Sequence, residues 1–199
     1  AATDIDMYEE DAQQDRGPLS PLVPAACAGW MESLRRYGSM DAADVFAPAI
    51  ELAEGGFALT VKNSAFFAGN VNDLRQYPSS ASTYLVDGRC PEPGEILVQQ
   101  DLAETFRAVA ADGPDVFYGG PIGDVIAAFM ADVGGILSKQ DLLDNRPQWL
   151  EPLGVDYRDW TVWAPPAPCQ AIQYLETLKL LEGFDIAGMG HNTADTLHT

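Results

Sequence analysis

Apolar side chains recur at helical spacing in several short segments of this chain, and each segment ends at a glycine or a proline. The clearest stripes are Val45, Ala49, Leu52 and Ala53; Leu102, Phe106 and Val109; and Ile122, Val125, Ile126, Phe129 and Met130. The breaks that follow them are Gly55-Gly56, Gly113-Pro114 and Gly134-Gly135. Because such stripes bury one face of a helix, the sequence predicts a protein built mostly from short helices.

The spacing changes to that of β-strands over residues 155–163, where apolar residues lie on both sides of Asp159. This alternation predicts two paired strands. A further short strand is expected at residues 84–89, with a turn at Asp87-Gly88. Helices combined with a few strands indicate an α+β fold.

Local signals indicate where some helices begin and break. Asp41 and Asp101 precede apolar stripes and are residues that favour the N-cap position, while residues 138–141 resemble a capping box. Pro48 lies inside a helical stripe and predicts a kink or a restart of that helix. Residues 78–82 (PSSAS) are expected to form a turn or a loop.

The charge balance is strongly acidic, with 30 Asp and Glu against 11 Lys and Arg and a formal net charge of −19. Such a field repels phosphate backbones and anionic lipids, which argues against partners that are nucleic acids or membrane surfaces. No run of about 18 apolar residues occurs, so no membrane span is expected. The charge suits solubility, and a docking face for a basic partner or a cationic substrate stays open.

Hydrophobic residues make up 47% of the chain, which is enough for a packed core. Neither a repeat nor a linker interrupts the sequence, so residues 1–199 are expected to form a single domain segment. Cys27, Cys90 and Cys169 are too few and too scattered for a disulfide framework. At least one of them has no partner within the chain, and small core positions are their expected role.

The first twenty residues predict an exposed arm. Residues 1–6 (AATDID) are acidic and lack the apolar stretch of a signal peptide. A leader removed earlier would leave the same start. Periplasmic, secreted and cytoplasmic locations therefore all stay open.

Few residues offer chemistry. Residues 117–123 (FYGGPIG) form a glycine-rich turn before a helix, which favours a structural turn over a phosphate cradle because the P-loop Lys and Ser/Thr are missing. His191 and His198 are seven residues apart and could share a helix face, and Asp195 lies between them. A metal site needs three or four ligands, so no metal and no cofactor is expected. Cys169 has no histidine nearby in sequence to form a catalytic pair.

Aromatic residues concentrate in one part of the chain: Tyr157, Trp149, Trp160 and Trp163. Stacking against a ligand or sugar is one interpretation. Packing within the strands and the core is the expected one.

Seven segments occur in an order that carries more information than any of them alone. They are 17–30 (GPLSPLVPAACAGW), 48–57 (PAIELAEGGF), 97–106 (LVQQDLAETF), 112–123 (DGPDVFYGGPIG), 134–142 (GGILSKQDL), 156–166 (DYRDWTVWAPP) and 180–185 (LLEGFD). This series resembles the large subunit of the gamma-glutamyltransferase family, which includes glutathione-cleaving enzymes and related cephalosporin and glutaryl acylases.

The resemblance implies an N-terminal-nucleophile hydrolase with a four-layer αββα sandwich. Members of this family are made as inactive precursors that cut themselves at a Thr into a large and a small subunit, which stay together. The freed N-terminal Thr is the nucleophile, and its own α-amine is the expected base. Water as acceptor gives hydrolysis of a gamma-glutamyl amide, and an amino acid or peptide gives transfer.

The resemblance places none of that machinery on this chain. The nucleophilic Thr is expected downstream of Thr199, in a small subunit from the same precursor, and the carboxylate-binding Arg is expected just upstream of Ala1. Arg16, Arg35 and Arg158 do not occupy the motif of that arginine. No catalytic, substrate-binding or metal-binding residue is therefore assigned here, and this segment alone is not expected to catalyse a reaction.

Two departures from the family pattern bear on the substrate. Ala25 follows Val23 and Pro24 where glycine is usual, and residues 168–171 (PCQA) stand where a Ser-Ser-Gly-Gly run is usual. An acylase that acts on glutaryl or other acyl amides is therefore a second hypothesis. A catalytically inactive, acidic binding module is the third.

Overall fold

The computed structural model describes residues 5–8 and 15–199. The chain divides into two compact units, of which the first ends at Pro147 and the second covers Gln148–Thr199. The arm expected over the first twenty residues lies partly outside the described residues. Residues 1–3, just upstream of which the carboxylate-binding arginine is expected, also lie outside the described residues.

The first unit is built mainly from short helices. After a 3₁₀ turn at Ile5–Met7 they are α1 (Ala26–Tyr37), α2 (Ala42–Gly55), α3 (Val61–Gly69), α4 (Val71–Gln76), α5 (Pro78–Tyr84), α6 (Gln100–Asp112), α7 (Asp115–Tyr118), α8 (Pro121–Asp132) and α9 (Lys139–Asp144). Two short strands, β1 (Phe57–Ala58) and β2 (Ile96–Leu97), pair antiparallel. This mixture confirms the α+β prediction.

A hydrophobic cluster joins the helices of the first unit. Its buried members are Cys27, Ala28, Phe46, Val109, Tyr118, Met130, Leu137 and Leu142. Leu142 on α9 has no exposed surface. The stripes of α6 and α8 each contribute a member, Val109 and Met130, but Val125 and Phe129 of the α8 stripe are 70% and 52% exposed. The helical spacing therefore marks the helices correctly, whereas only part of the α8 stripe is buried.

Helices α2 and α6 pack against each other more extensively than any other pair of described helices. The rings of Phe46 and Phe106 lie with their centroids 5.6 Å apart at 55°. Ala53 on α2 and Ala103 on α6 are also buried, and small side chains allow the two backbones to approach closely.

Pro48 does not restart α2, which continues from Ala42 to Gly55. The proline removes one backbone donor from the helix. Phe46 and Ala53, on either side of it, are both buried, so tertiary packing offsets the lost hydrogen bond. The prediction of a restart was therefore wrong.

The three capping predictions had different outcomes. Asp41 occupies the N-cap of α2, but its side chain makes no capping hydrogen bond. The N-cap of α6 is Gln99, and Asp101 lies instead in the first turn, where a carboxylate interacts favourably with the helix dipole. The capping box at the start of α9 is confirmed: the carboxylate of Asp141 accepts from the Ser138 N–H at 2.8 Å, and the Ser138 hydroxyl accepts from the Asp141 N–H at 3.3 Å.

Residues 78–82 are helical, so the loop prediction was wrong. Pro78 is the first residue of α5, a position where proline is favoured because its missing N–H would have had no helical partner. The hydroxyls of Ser82 and Thr83 both donate to the Ser79 carbonyl, which places these polar side chains within the helix without strain.

The Asp87-Gly88 turn is confirmed, but the strand expected at residues 84–89 was wrong: α5 extends to Tyr84, and Val86 and Arg89 form only an isolated bridge. Val86 and Arg89 exchange two backbone hydrogen bonds of 3.0 Å, which makes a tight two-residue reversal. Asp87 and Gly88 have φ angles of 49° and 76°. Asp and Gly are residues that tolerate this left-handed conformation, which explains why the chain reverses here.

A bidentate ion pair fixes the loop that follows this turn. The Arg89 guanidinium donates to both carboxylate oxygens of Glu95, at 2.8 and 2.6 Å, and the Glu92 N–H also donates to that carboxylate at 2.6 Å. The hydrogen bonds from Arg89, followed by the one from the Glu92 backbone, lower the pKa of Glu95 from 4.5 to about 2. The charged form of Glu95 therefore stabilises the folded loop.

The second unit contains a β-hairpin and three helices. The strands β3 (Leu153–Tyr157) and β4 (Trp160–Ala164) pair antiparallel over their whole length, with the turn at Arg158 and Asp159. This confirms the paired strands predicted from the change in spacing. The helices are α10 (Ala171–Leu181), α11 (Ile186–Met189) and α12 (Ala194–His198).

Helix α10 packs against the hairpin. Leu175 on α10 is buried, and the Lys179 ammonium donates to the Asp156 carbonyl at 3.0 Å. Val155 and Val162 face each other across the strands and are half-buried.

Within the described part of the chain, no helix combines the length and the apolar character that crossing a bilayer requires.

We expect Leu142→Ala to lower the free energy of unfolding by about 2–5 kcal/mol, because it leaves a cavity in the core of the first unit. Leu143→Ala is the matched control. The Leu143 side chain is 37% exposed, so its truncation should lower the free energy of unfolding far less. Urea unfolding of the intact protein measures both. Equal losses for the two variants would contradict the assignment of Leu142 to the core.

We expect Glu95→Gln to destabilise the protein at pH 7 and to matter less as the pH falls. Folding lowers the pKa of Glu95. Its stabilising effect is therefore fully present above pH 4.5 and is lost as the pH drops toward about 2. Unfolding of wild type and variant between pH 7 and pH 3 measures this difference. In an Arg89→Gln background the substitution should lose most of its pH dependence, and an unchanged dependence there would refute the role of Arg89.

Candidate functional site

The glycine-rich segment 117–123 positions a buried tyrosine. Tyr118 is 6% exposed and belongs to the hydrophobic cluster. Its hydroxyl donates to the Pro24 carbonyl at 2.7 Å and accepts from the Ala28 N–H at 3.0 Å. Helix α1 begins at Ala26 and has no side-chain cap, so Tyr118 satisfies backbone groups at that helix start. Burial raises the pKa of Tyr118, which keeps the hydroxyl protonated as a donor.

The glycines of this segment allow close packing. A Cβ at Gly123 would lie 2.4 Å from the Tyr118 carbonyl oxygen, and one at Gly120 would lie 2.9 Å from the Cα of Val116. The Lys139 ammonium donates to the Gly120 carbonyl at 2.9 Å and pairs with Asp124 at 2.7 Å. These contacts give the segment the structural role that the sequence favoured over a phosphate cradle.

An open cavity of about 400 Å³ lies beside Tyr118, within the first unit. Its charged side chains are Glu32, Arg35, Asp115 and Arg146. The Arg35 guanidinium donates to both carboxylate oxygens of Glu32, at 2.6 and 2.7 Å. Because Glu32 already accepts these hydrogen bonds, the Arg35 guanidinium is not available to bind an anion in the cavity.

The three arginines considered in the sequence all contact other residues of the chain. Arg16 forms an ion pair with Asp73, and Arg35 pairs with Glu32. The Arg158 guanidinium lies 5.1 Å from the centre of the Tyr157 ring. These contacts give each arginine a local structural role, and the carboxylate-binding arginine upstream of Ala1 stays a prediction.

The two histidines do not share a helix face. Helix α12 begins after its N-cap Thr193, so His198 lies in its last turn while His191 precedes it. Among the described residues, no group of three or more His, Cys, Asp or Glu side chains is placed to hold a metal ion.

Cys27, Cys90 and Cys169 are free cysteines in this structure. Cys27 is buried, and its burial raises the pKa of the thiol. Cys90 is half-buried, whereas Cys169 is exposed. Core packing therefore describes Cys27, and it does not describe Cys169.

The tryptophans of the second unit lie on the surface, so the expectation of core packing was wrong for them, whereas Tyr157 is half-buried. Trp149, Trp160 and Trp163 are 48%, 77% and 64% exposed. Trp163 stands opposite Gly154 across the strands, and a Cβ at that glycine would lie 2.7 Å from the indole ring. The indole thus packs on the backbone of β3 with its other face open.

Two of these tryptophans, Trp149 and Trp163, line a largely apolar open cavity of about 740 Å³ within the second unit. Leu150, Pro166 and Cys169 are among the other lining residues. Exposed apolar surface of this kind marks interaction sites, because burying it is favourable. We call Trp149, Leu150 and Trp163, which line this cavity, the aromatic surface. Trp160 is not part of it, because side chains alternate along a strand and positions 160 and 163 of β4 lie on opposite faces of the hairpin. Periodicity could not reveal it, because alternation in a strand does not tell which face stays uncovered.

The comparisons with known proteins agree with each other. The family model described as Gamma-glutamyltranspeptidase matches residues 1–199. The Acylase ACY 1 proenzyme of Pseudomonas sp. (strain SE83) is 37% identical over 189 residues, which cover 94% of this chain and 34% of that protein. The Glutathione hydrolase proenzyme of Escherichia coli (strain K12) is 33% identical over 188 residues, covering 90% of this chain and 31% of that protein. The chain thus spans about one third of the length of these relatives.

Solved structures show the same fold. The Helicobacter pylori gamma-glutamyltranspeptidase superposes with a TM-score of 0.89 at 26% identity, covering 98% of this chain and 56% of that one. The cephalosporin acylase from Bacillus halodurans superposes with a TM-score of 0.82 at 33% identity, covering 92% and 35%. The fold is therefore that of the N-terminal-nucleophile hydrolases, as the resemblance implied.

We expect Tyr118→Phe to lower the free energy of unfolding by about 1–3 kcal/mol, because buried backbone groups at the start of α1 lose their partner. Tyr174→Phe is the matched control, because Tyr174 is 69% exposed. Chemical unfolding of the intact variants gives both values. A loss no larger than that of the control would show that the hydroxyl does not hold this helix start.

Proposed function

Because the chain belongs to the gamma-glutamyltranspeptidase family, we propose that it is the scaffold part of a self-processed enzyme that cleaves or transfers gamma-glutamyl amides. The observation that carries this proposal is the match of the family model over residues 1–199, together with the superposition on solved members at TM-scores of 0.82 and above. Both relatives described above are proenzymes, which supports processing of this protein into two subunits.

In this proposal the reacting groups lie outside residues 1–199. The nucleophile is the hydroxyl of a Thr that becomes N-terminal after self-cleavage, downstream of Thr199. Its free α-amine takes the hydroxyl proton and the oxygen attacks the amide carbonyl. The C–N bond then breaks, the α-ammonium returns that proton to the departing nitrogen, and the amine product leaves as the acyl-enzyme forms. Water or an amine then attacks the ester and releases the acyl group. Backbone N–H donors stabilise the oxyanion of each tetrahedral intermediate.

The role of the described residues is to hold that machinery in place. The buried cluster and the Tyr118 hydrogen bonds make the first unit a firm support. A catalytic constellation works only when its supporting shell fixes it within a fraction of an ångström. The carboxylate-binding arginine upstream of Ala1 would be positioned by this support.

We propose that the aromatic surface contacts another polypeptide, the small subunit of the same precursor. The hairpin β3–β4 forms a sheet of only two strands; α10 packs against it, yet Trp163 on β4 stays 64% exposed. Trp163 would lose most of its exposed area against such a partner. Burial of this area would keep the two subunits together after cleavage.

An acylase acting on glutaryl or other acyl amides is the second candidate. Two Acylase ACY 1 proenzymes, from Pseudomonas sp. strains SE83 and V22, are 37% and 35% identical to this chain. The Glutathione hydrolase proenzymes of Pseudomonas sp. (strain A14) and Escherichia coli are 32% and 33% identical. The segment 168–171 also departs from the run that is usual in the family.

The test begins with the intact protein. We expect two polypeptides on a denaturing gel, and N-terminal sequencing of the smaller one should begin with Thr. Substitution of that Thr by Ala should leave a single uncleaved chain. An intact protein that is never cleaved and that lacks such a Thr would favour an inactive binding module.

The rates at which the processed protein hydrolyses two chromogenic amides distinguish the two substrate classes. Turnover of gamma-glutamyl-p-nitroanilide, with transfer to an added dipeptide, is the expected result. Turnover of glutaryl-p-nitroanilide alone would overturn the first candidate and support the acylase. The Thr→Ala variant is the control for background hydrolysis, and it should be inactive on both amides.

A further inference from the structure

The cavity beside Tyr118 combines an apolar wall with a few polar side chains. Ala28, Met31, Pro114 and Pro147 supply the wall. The volume of about 400 Å³ falls in the range that is usual for small-molecule sites, which are mostly apolar and carry a small number of polar groups. The kind of ligand that fits is set by the polar groups of the cavity that have no partner among the described residues.

Asn145 contributes a hydrogen-bond donor without a partner. Its side-chain nitrogen Nδ2 is shielded from solvent, and no described residue accepts a hydrogen bond from it. Buried polar groups in folded proteins are nearly always paired, so an orphaned donor is unusual. Because Asn145 lines the cavity, a carboxylate or carbonyl oxygen bound there would supply the missing acceptor.

Arg146, the next residue, presents a guanidinium with one edge unused. Its Nη1 donates to the Leu143 carbonyl and, at 2.7 Å, to the Asn145 carbonyl, which holds the side chain at the end of α9. Its Nε and Nη2 have no acceptor among the described residues. These two nitrogens form an edge that binds a carboxylate through two parallel hydrogen bonds. Arg35 differs, because its donors are taken by Glu32.

Asp115 brings the opposite charge to the same cavity. Its side chain is exposed, and its carboxylate pairs with no Lys or Arg in the described part of the chain. A simple anion held by Arg146 would share the cavity with this unpaired carboxylate, and like charges repel. A ligand that carries an ammonium group beside its carboxylate would instead give both side chains a partner.

We propose that this cavity binds a free apolar α-amino acid. The α-carboxylate of the ligand accepts from Arg146 and Asn145, and its α-ammonium donates to Asp115. The side chain of the amino acid lies on the wall that Met31 and Pro114 form. The inference does not depend on the reaction proposed above, because none of these residues has a part in that reaction.

The test is isothermal titration calorimetry of the intact protein with L-leucine, in the absence of any amide substrate. We expect saturable binding with a Kd of about 1 mM. Asp115→Asn and Arg146→Gln should each weaken it about tenfold or more, because one charge of the ligand loses its partner. Arg107→Gln is the matched control and should bind like wild type, because this exposed arginine pairs with Glu54 outside the cavity.

Two analogues of L-leucine separate the roles of the charged side chains. Isocaproate lacks the ammonium group and isoamylamine lacks the carboxylate, so wild type should bind each about tenfold or more weakly than L-leucine. In Asp115→Asn the difference between L-leucine and isocaproate should shrink, because the ammonium group has no carboxylate to meet. A difference as large as in wild type would refute the role of Asp115.

Two further results would overturn the proposal. One is the absence of saturable binding up to about 10 mM L-leucine, ten times the expected Kd. The other is binding that Asp115→Asn and Arg146→Gln both retain at full strength, because the amino acid would then lie elsewhere in the protein. Arg146→Gln also removes hydrogen bonds at the end of α9, so the thermal unfolding of each variant is measured beside the titration. Asp115→Asn breaks no ion pair of the described residues and decides the question if Arg146→Gln does not fold.

Discussion

The first unit depends on one hydroxyl group. Tyr118 donates to the Pro24 carbonyl and accepts from the Ala28 N–H, 94 and 90 residues earlier in the chain. A hydroxyl is both donor and acceptor, so a single side chain satisfies both backbone groups at a helix start that has no local cap. This contact fixes the start of α1 against α7, and the hydrophobic cluster forms around both helices. Gly123 is needed because its backbone approaches the Tyr118 carbonyl too closely for a Cβ, and Gly120 approaches the Val116 backbone in the same way.

The ion pairs formed by the arginines in the described part of the chain are local to its own fold. Arg16, Arg35, Arg89 and Arg107 are engaged with carboxylates of the same chain. Large apolar side chains stay exposed in both units, among them Val61 and Phe66 in the first and Trp163 in the second. Such surfaces suit the supporting role proposed above for a chain that spans about one third of its relatives.

Much of the fold could be predicted because it follows from local chemistry. The stripe of α8, the capping box of α9 and the Asp87-Gly88 turn each depend on residues within a few positions of one another. The hairpin was predictable for the same reason, since alternation is a local property of a strand. Residues 78–82 were mistaken for a loop because proline and serine favour turns, yet proline is equally suited to the first turn of a helix.

The sequence by itself determined the family, the helical character of the chain and its negative charge, because ordered motifs, spacing and composition are properties of the chain alone. Only the tertiary structure decided that Pro48 lies within a continuous helix, since Phe46 and Ala53 on either side of it are buried. It also decided that Tyr118 lies in the core while Trp160 and Trp163 stay exposed. The physical reason is that burial depends on which distant elements pack together, and a local pattern is the same whether or not a partner covers it.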